Sequence, residues 1–258
     1  MAIQKTEAFV LKTQPFRSSS LIVTVFSDHF GKLKGIVKGV RREREARGAI
    51  FELFTRLEII FYEKIHSDLH LISEGFILDS NDHIRTRLDA IAYASYFCEL
   101  VDQLCEVHDP HQGVFDLMDF SFRFISSVDL EKLATIFEIK LLHEIGWLPY
   151  LQACLKCHDA SIQSGYFSVK QGGLLCPKCA KEYAETAPLN SNELNALRYF
   201  TRHAVDQCLK HHLTSTLILA LGRFMNQFIV YRLGNPLHSR VFIEKIRPIL
   251  GPSYQLRP

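Results

Sequence analysis

The spacing of apolar residues changes once along this chain, around Asp79-Ser80-Asn81-Asp82, and the change limits what each part can become. Ahead of it the apolar segments are short, β-branched or aromatic, and bounded by turn residues, as strands are. Ala8-Phe9-Val10-Leu11 and Leu21-Ile22-Val23-Thr24-Val25-Phe26 have this character, and Ser27-Asp28-His29-Phe30-Gly31 supplies turn chemistry after them. Residues 32–40 largely alternate lysine or glycine with apolar side chains, the period-2 pattern of a strand with one wet face. Residues 51–62 form a long apolar run interrupted by Glu52, Arg56 and Glu58, and 69–78 carry the last strand pattern. Five strands within residues 1–80, with no helical period between them, point to a small barrel or sandwich. The five-stranded oligonucleotide-binding (OB) barrel is the natural candidate.

Beyond the change the period is helical. Leu88, Ile91, Ala92, Ser95, Tyr96, Leu100 and Leu104 recur at three- and four-residue spacing within 85–107. Further helices are expected at 114–125 and at 130–145, the latter capped by Asp129 and stopped by Gly146. Another opens at Ser191 and runs to about Leu209, and a last one spans 217–233. The expected architecture is α+β: an OB barrel in 1–80, then a helical domain in 81–258 that carries a cysteine-rich insertion at about 150–185. With 258 residues, 47% apolar and 22% charged, the composition is that of a globular protein and excludes a disordered or collagen-like chain. No apolar run is long enough to span a bilayer, and the start lacks a leader's pattern, so no membrane partner and a cytoplasmic location are expected.

The insertion holds the strongest local motif. Cys154-Leu155-Lys156-Cys157 is followed, after 18 residues, by Cys176-Pro177-Lys178-Cys179. Two thiolates two residues apart grip a metal in a tight knuckle, and a second knuckle closes a tetrahedral shell. One structural zinc ion on Cys154, Cys157, Cys176 and Cys179 is therefore expected, with Gly172-Gly173 allowing a hairpin ahead of the second knuckle. A dithiol redox pair and an iron–sulfur cluster are the rival readings. Cys98, Cys105 and Cys208 lie in helical stretches and read as buried apolar residues.

The net charge of +2 hides cancellation: residues 1–80 carry +2, 81–197 carry −7 and 198–258 carry +7. Within 32–47, Lys32, Lys34, Lys38, Arg41, Arg42, Arg44 and Arg47 face only Glu43 and Glu45. This stretch starts on a candidate strand and continues into a loop, and strand faces and loops are where OB folds bind nucleic acid. These seven cations are the expected DNA contacts, and a solvated charged loop is the competing reading. Among Phe16, Phe26, Phe30, Phe51 and Phe54, Phe30 is the first choice for stacking on a base, since it lies in a turn beside the basic strand. The C-terminal basic residues are spaced as on a polar helix face or as the lining of a groove for an acidic partner. Phosphate loops, dinucleotide fingerprints, nucleophile elbows and zinc-protease helices are absent as motifs.

The order of these pieces resembles the RecO family of bacterial recombination mediators. The resemblance is carried by Ala8-Phe9-Val10-Leu11 with Ser20 to Phe26, by Gly31-Lys32-Leu33 through Lys38-Gly39-Val40-Arg41-Arg42, and by Gly146-Trp147-Leu148-Pro149-Tyr150-Leu151 ahead of Cys154. Tyr166-Phe167-Ser168, Gly172-Gly173-Leu174-Leu175-Cys176, Tyr231-Arg232-Leu233-Gly234 and Leu237-His238-Ser239-Arg240 complete it. His158 departs from the family, in which a small residue such as glycine is more usual. The resemblance implies a non-enzymatic protein of the RecF pathway. Such proteins bind single- and double-stranded DNA, anneal complementary strands, act with RecR, engage the acidic tail of single-strand-binding protein (SSB), and help load RecA. It implies a bacterial cytoplasmic protein, nucleoid-associated when acting, in which zinc is present in some members only. On this reading Lys38, Arg41 and Arg42 carry much of the DNA contact, while Arg198, Arg202 and Arg223 meet the SSB tail beside an apolar pocket. A zinc-ribbon OB-fold RNA-binding protein and a C-x-x-C thiol oxidoreductase are the alternatives.

Overall fold

The computed structural model describes residues 2–17, 19–40, 50–64 and 67–250. Strands β1 (Ile3–Phe16), β2 (Ser20–Ser27), β3 (Gly31–Val37), β4 (Arg56–Tyr62) and β5 (Leu69–Asp79) close into a barrel in the order β1-β2-β3-β5-β4. All neighbours are antiparallel except β3 and β5, which pair in parallel from Lys34↔Leu69 to Val37↔Ile72. β1 is long enough to serve both β2 and β4, and a register shift between Val10 and Lys12 bends it around the barrel. Ala8, Val10, Val23, Val25, Leu33, Leu57, Ile59, Phe61 and Ile72 fill the interior. This is the expected OB-type architecture. Only Arg56–Tyr62 of the 51–62 run is strand; Phe51 and Phe54 are buried ahead of it, and Phe54 turns the chain at φ +73°.

The outer face of β1 and β2 is not wet. Phe9 and Phe26 point away from the interior yet are fully buried, and the Phe9 ring lies 4.9 Å from Phe115 and 5.4 Å from Phe122. Burial on both faces explains why residues 8–11 are an unbroken apolar run and why only Thr24, itself buried, interrupts 21–26. The covering elements are α1 (Asp82–Arg85), α2 (Leu88–Leu104), α3 (Gln112–Phe124) and α8 (His238–Leu250). Glu99 of α2 accepts the N–H groups of His238 and Ser239 at 2.9 and 2.8 Å, an acid at the positive end of α8. Together Met1–Ser127 and Leu237–Gly251 form one compact unit, a division that falls elsewhere than the change of period at residue 80.

The second unit, Val128–Pro236, contains α4 (Leu130–Glu144), α5 (Ser191–Arg202), α6 (Val205–Lys210) and α7 (Ser215–Leu233), with a sheet ordered β7 (Gly173–Leu175), β6 (Gly165–Ser168), β8 (Thr186–Leu189). Asp129 caps α4 by accepting the Lys132 N–H at 2.8 Å, and Gly234 ends α7 at φ +75°. α4 is buried almost all round. Its Lys132 ammonium donates to the carbonyls of Leu209 and His211, and its Lys140 to that of Thr201, so two cations tie α4 to the negative ends of α6 and α5. The single helix expected from Ser191 to about Leu209 is two helices, broken at His203 in extended backbone. The break lets His203 and His211 stack on opposite sides of the same ring, Tyr199, at 3.8 and 4.1 Å.

Candidate nucleic-acid interface and metal centre

The first cysteine knuckle hangs from β7: the Leu155 N–H donates to the Leu174 carbonyl at 2.8 Å, and Tyr150 exchanges bonds with Gly172 and Leu174 at 2.9 Å. A side chain at Gly173 would come 2.7 Å from the Tyr150 carbonyl, so this strand approach requires glycine. The knuckle closes through the His158 N–H on the Cys154 carbonyl at 3.0 Å, which puts His158 at φ +58°. That left-handed conformation explains why a residue without a Cβ suits the position.

The sulfurs of Cys154, Cys157, Cys176 and Cys179 all lie within 4.8 Å of one another, and no other three or more His, Cys, Asp or Glu side chains among the described residues cluster in this way. Cys157 and Cys176 Sγ are 3.8 Å apart. A tetrahedron with metal–sulfur bonds of about 2.3 Å has edges of about 3.8 Å, so the donor set fits such an ion. The backbone favours thiolates here. Burial pushes the Cys154 thiol up, but N–H donors from Cys157, Cys176 and Lys156 outweigh it and bring it down to about 6. The Cys179 thiol is held up, at about 12, by hydrogen bonding to the neighbouring sulfurs. Four crowded sulfurs charge together only around a cation. Lys156, inside the first knuckle, pairs with Glu182. Cys98, Cys105 and Cys208 are buried, as expected, and burial raises all three thiols, Cys105 to about 12.

The basic stretch divides. Lys34 and Lys38 are exposed. Lys32 is 8% exposed; its ammonium donates to the Asp102 carbonyl and lies 3.9 Å from the Asp102 carboxylate. It is a tie between β3 and the C-terminal end of α2, which corrects its expected place among DNA contacts. Arg41, Arg42, Arg44 and Arg47 lie outside the described residues. Phe30 is half-buried against the barrel core, edge-on to Phe61 at 5.4 Å, so only part of its ring faces out. Phe26, Phe51 and Phe54 are core residues, and the Arg17 guanidinium covers the Phe16 ring at 5.2 Å.

The three C-terminal arginines do not converge. Arg198 donates to the carbonyls of Leu151, Ile162 and Gln152 at 2.9, 3.1 and 3.2 Å, bracing the cysteine insertion against α5. Burial and then Arg202 lower its pKa. Arg198 and Arg202 share a concave surface with His203 and Gln152 that no carboxylate lines. Arg223 lies in a separate, more apolar cavity of about 720 Å³ with Leu213, Leu217, Ala220 and His211. Asn195 and Tyr199 border both.

A third cavity, of about 460 Å³, opens where the β2–β3 turn, the β4–β5 connection and the α2–α3 connection meet. Its histidines among the described residues, His29, His70 and His108, come from three distant segments, and no local pattern in the sequence marks them.

Comparison with known proteins agrees with this arrangement. The family described as recombination protein O, N terminal, matches residues 1–81, and recombination protein O, C terminal, matches 85–241. The chain is similar to proteins named DNA repair protein RecO. The one from Clostridium kluyveri is 30% identical over 83% of this chain and 82% of its own. That from Syntrophus aciditrophicus is 30% identical over 95% and 97%. That from Symbiobacterium thermophilum is 27% identical over 96% and 99%.

Proposed function

This chain belongs to the RecO family of DNA repair proteins, and we propose that it acts as a non-enzymatic recombination mediator of the RecF pathway. It binds single- and double-stranded DNA on the barrel, anneals complementary strands, and works with RecR to load RecA onto single strands coated by SSB. The observation that carries this reading is a closed OB-type barrel whose β3 leads Lys34 and Lys38, both exposed, into an arginine-rich stretch, in a chain matched by the family over both halves.

Annealing requires two polyanions to approach. A strand lined by Lys and Arg releases its counterions and loses much of its repulsion, with no bond made or broken. With Lys32 committed to Asp102, the remaining cations of 32–47 exceed the two glutamates by four. The corresponding slope of log affinity against log salt on single strands is about −2.8. The zinc ion is structural in this reading: Cys154, Cys157, Cys176 and Cys179 fill its shell and leave no position for water. Arg223, at the apolar cavity, and Arg202, across Tyr199 from it, are the candidate receivers of an acidic SSB tail. The protein works in the cytoplasm, on the nucleoid.

The test is anisotropy of a labelled single-stranded oligonucleotide across a salt series, with the complementary strand added afterwards. Salt-sensitive binding and accelerated pairing are expected. Charge reversal at Lys34, Lys38, Arg41 and Arg42 together should abolish both; unchanged affinity and slope in that variant would sink the placement. A preference for structured RNA would move the reading to RNA binding.

A further inference from the structure

The cavity at the end of the barrel contains a donor without an acceptor. His70, on β5, is 2% exposed, and its Nδ1 accepts the Lys64 N–H at 3.2 Å. The proton of the neutral ring must then sit on Nε2, which is buried and has no hydrogen-bond partner. Burial, and next the neighbouring His108, hold the ring below the usual histidine pKa, so this donor form persists at neutral pH. The ring of His108 lies across it, 5.2 Å away and inclined by 72°. His108 is itself exposed and stands at φ +61°, on a connection drawn tightly onto the barrel: a Cβ at Gly31 would lie 2.2 Å from the Asp109 carbonyl. The fold thus places an unsatisfied N–H beneath a strained, solvent-facing cover. Buried polar groups normally have partners, and one that lacks a partner in the free protein is ready for a ligand's acceptor.

The walls define that ligand. Phe30 and Pro110 are flat and apolar, and Lys64 supplies one cation. Glu63 and Asp68 line the same cavity, so an isolated phosphate meets no excess of positive charge. Nor do the three histidines converge as metal ligands do. A planar, apolar group with acceptors on its edge fits these walls, and Lys64 is the described cation at hand for a phosphate attached to it. We propose, building on the reading of the barrel as a DNA-binding element, that this cavity takes one unpaired base of a bound single strand. The base replaces the His108 ring beside Phe30, its edge accepts the His70 Nε2–H, and Lys64 meets the attached phosphate. Binding then has a base-dependent part besides its phosphate part.

Two oligonucleotides of equal length separate the parts: oligo-deoxythymidine, and a strand in which abasic sites replace most bases. The full-length protein should bind the first about fivefold or more tightly than the second, with the same salt slope for both. His70→Phe, which keeps a ring of similar bulk in the barrel, should bring the ratio close to one and leave the slope unchanged. His108→Gly, favourable at φ +61°, removes the cover and should keep or raise the ratio. A single 2-aminopurine in an otherwise abasic strand reads the seat directly: its emission should be quenched on binding and recover in Phe30→Leu. Equal binding of both strands with a normal salt slope, or unquenched emission, overturns the base pocket and leaves the DNA-binding reading intact. Absence of binding by either strand at low salt overturns both.

Discussion

Lys32 and Lys34 lie two residues apart on β3, on the outward face opposite Leu33, and their fates differ because α2 covers only one of them. Lys32→Met should cost about 1–2 kcal/mol in denaturant unfolding, since the Asp102 carbonyl at the end of α2 loses its cation, and it should leave the DNA salt slope alone. Lys34→Ala should do the reverse: stability within about 0.5 kcal/mol of wild type, and a slope shallower by about 0.7. A full loss of slope in the first variant and none in the second would invert the assignment. His158→Gly should stabilise by about 0.5–1 kcal/mol, because the knuckle holds a non-glycine residue at φ +58°. On the proposal of one structural zinc ion, Cys154→Ser should lower the metal content by one ion per chain in elemental analysis and destabilise the second unit by more than about 4 kcal/mol.

Among the elements, those with strong local signals are where the sequence places them. α4 begins at its Asp129 cap and α7 ends at its glycine; Asp129→Ala should cost about 1 kcal/mol in unfolding. The sequence predicts one helix where α5 and α6 stand, since no proline or glycine lies between Ser191 and Leu209; the break answers to Tyr199, His203 and His211, which only packing brings together. α8 lies beyond the last helix that the sequence predicts, and its N-terminus is held by Glu99, 139 residues away in the chain. The β2–β3 turn carries a pH dependence. Burial pushes the Asp28 carboxyl up, but the Thr6 hydroxyl at 2.5 Å and His29 outweigh it, and the pKa ends below the usual 3.8. Asp28 therefore contributes stability that is present above that value and is lost as pH falls through the folded-state one. Thr6→Val should flatten unfolding free energy against pH between about 5 and 3, as followed by denaturant midpoints.

For the whole molecule, the compact units do not follow the change of secondary structure at residue 80. Phe9 and Phe26 face helices rather than water, and Arg56 of β4 bridges Glu7 and Asp119 of α3. A fragment ending at residue 80 should lack a cooperative melt by circular dichroism and bind hydrophobic dyes, whereas residues 1–127 joined to 237–251 should melt cooperatively; a cooperative melt of the shorter piece would refute this. The sequence by itself determined the five strands, the main helices and the four cysteines, because strand period, helix period, caps and C-x2-C spacing are all set by neighbours within a few residues. Tertiary structure alone decided that Lys32 is a buried tie and Lys34 is exposed, that Arg198 braces carbonyls while Arg202 and Arg223 line different cavities, and that three distant histidines meet at one end of the barrel. Those outcomes depend on which element comes to cover which face, and segments far apart in the chain acquire that relation only when their apolar surfaces pack.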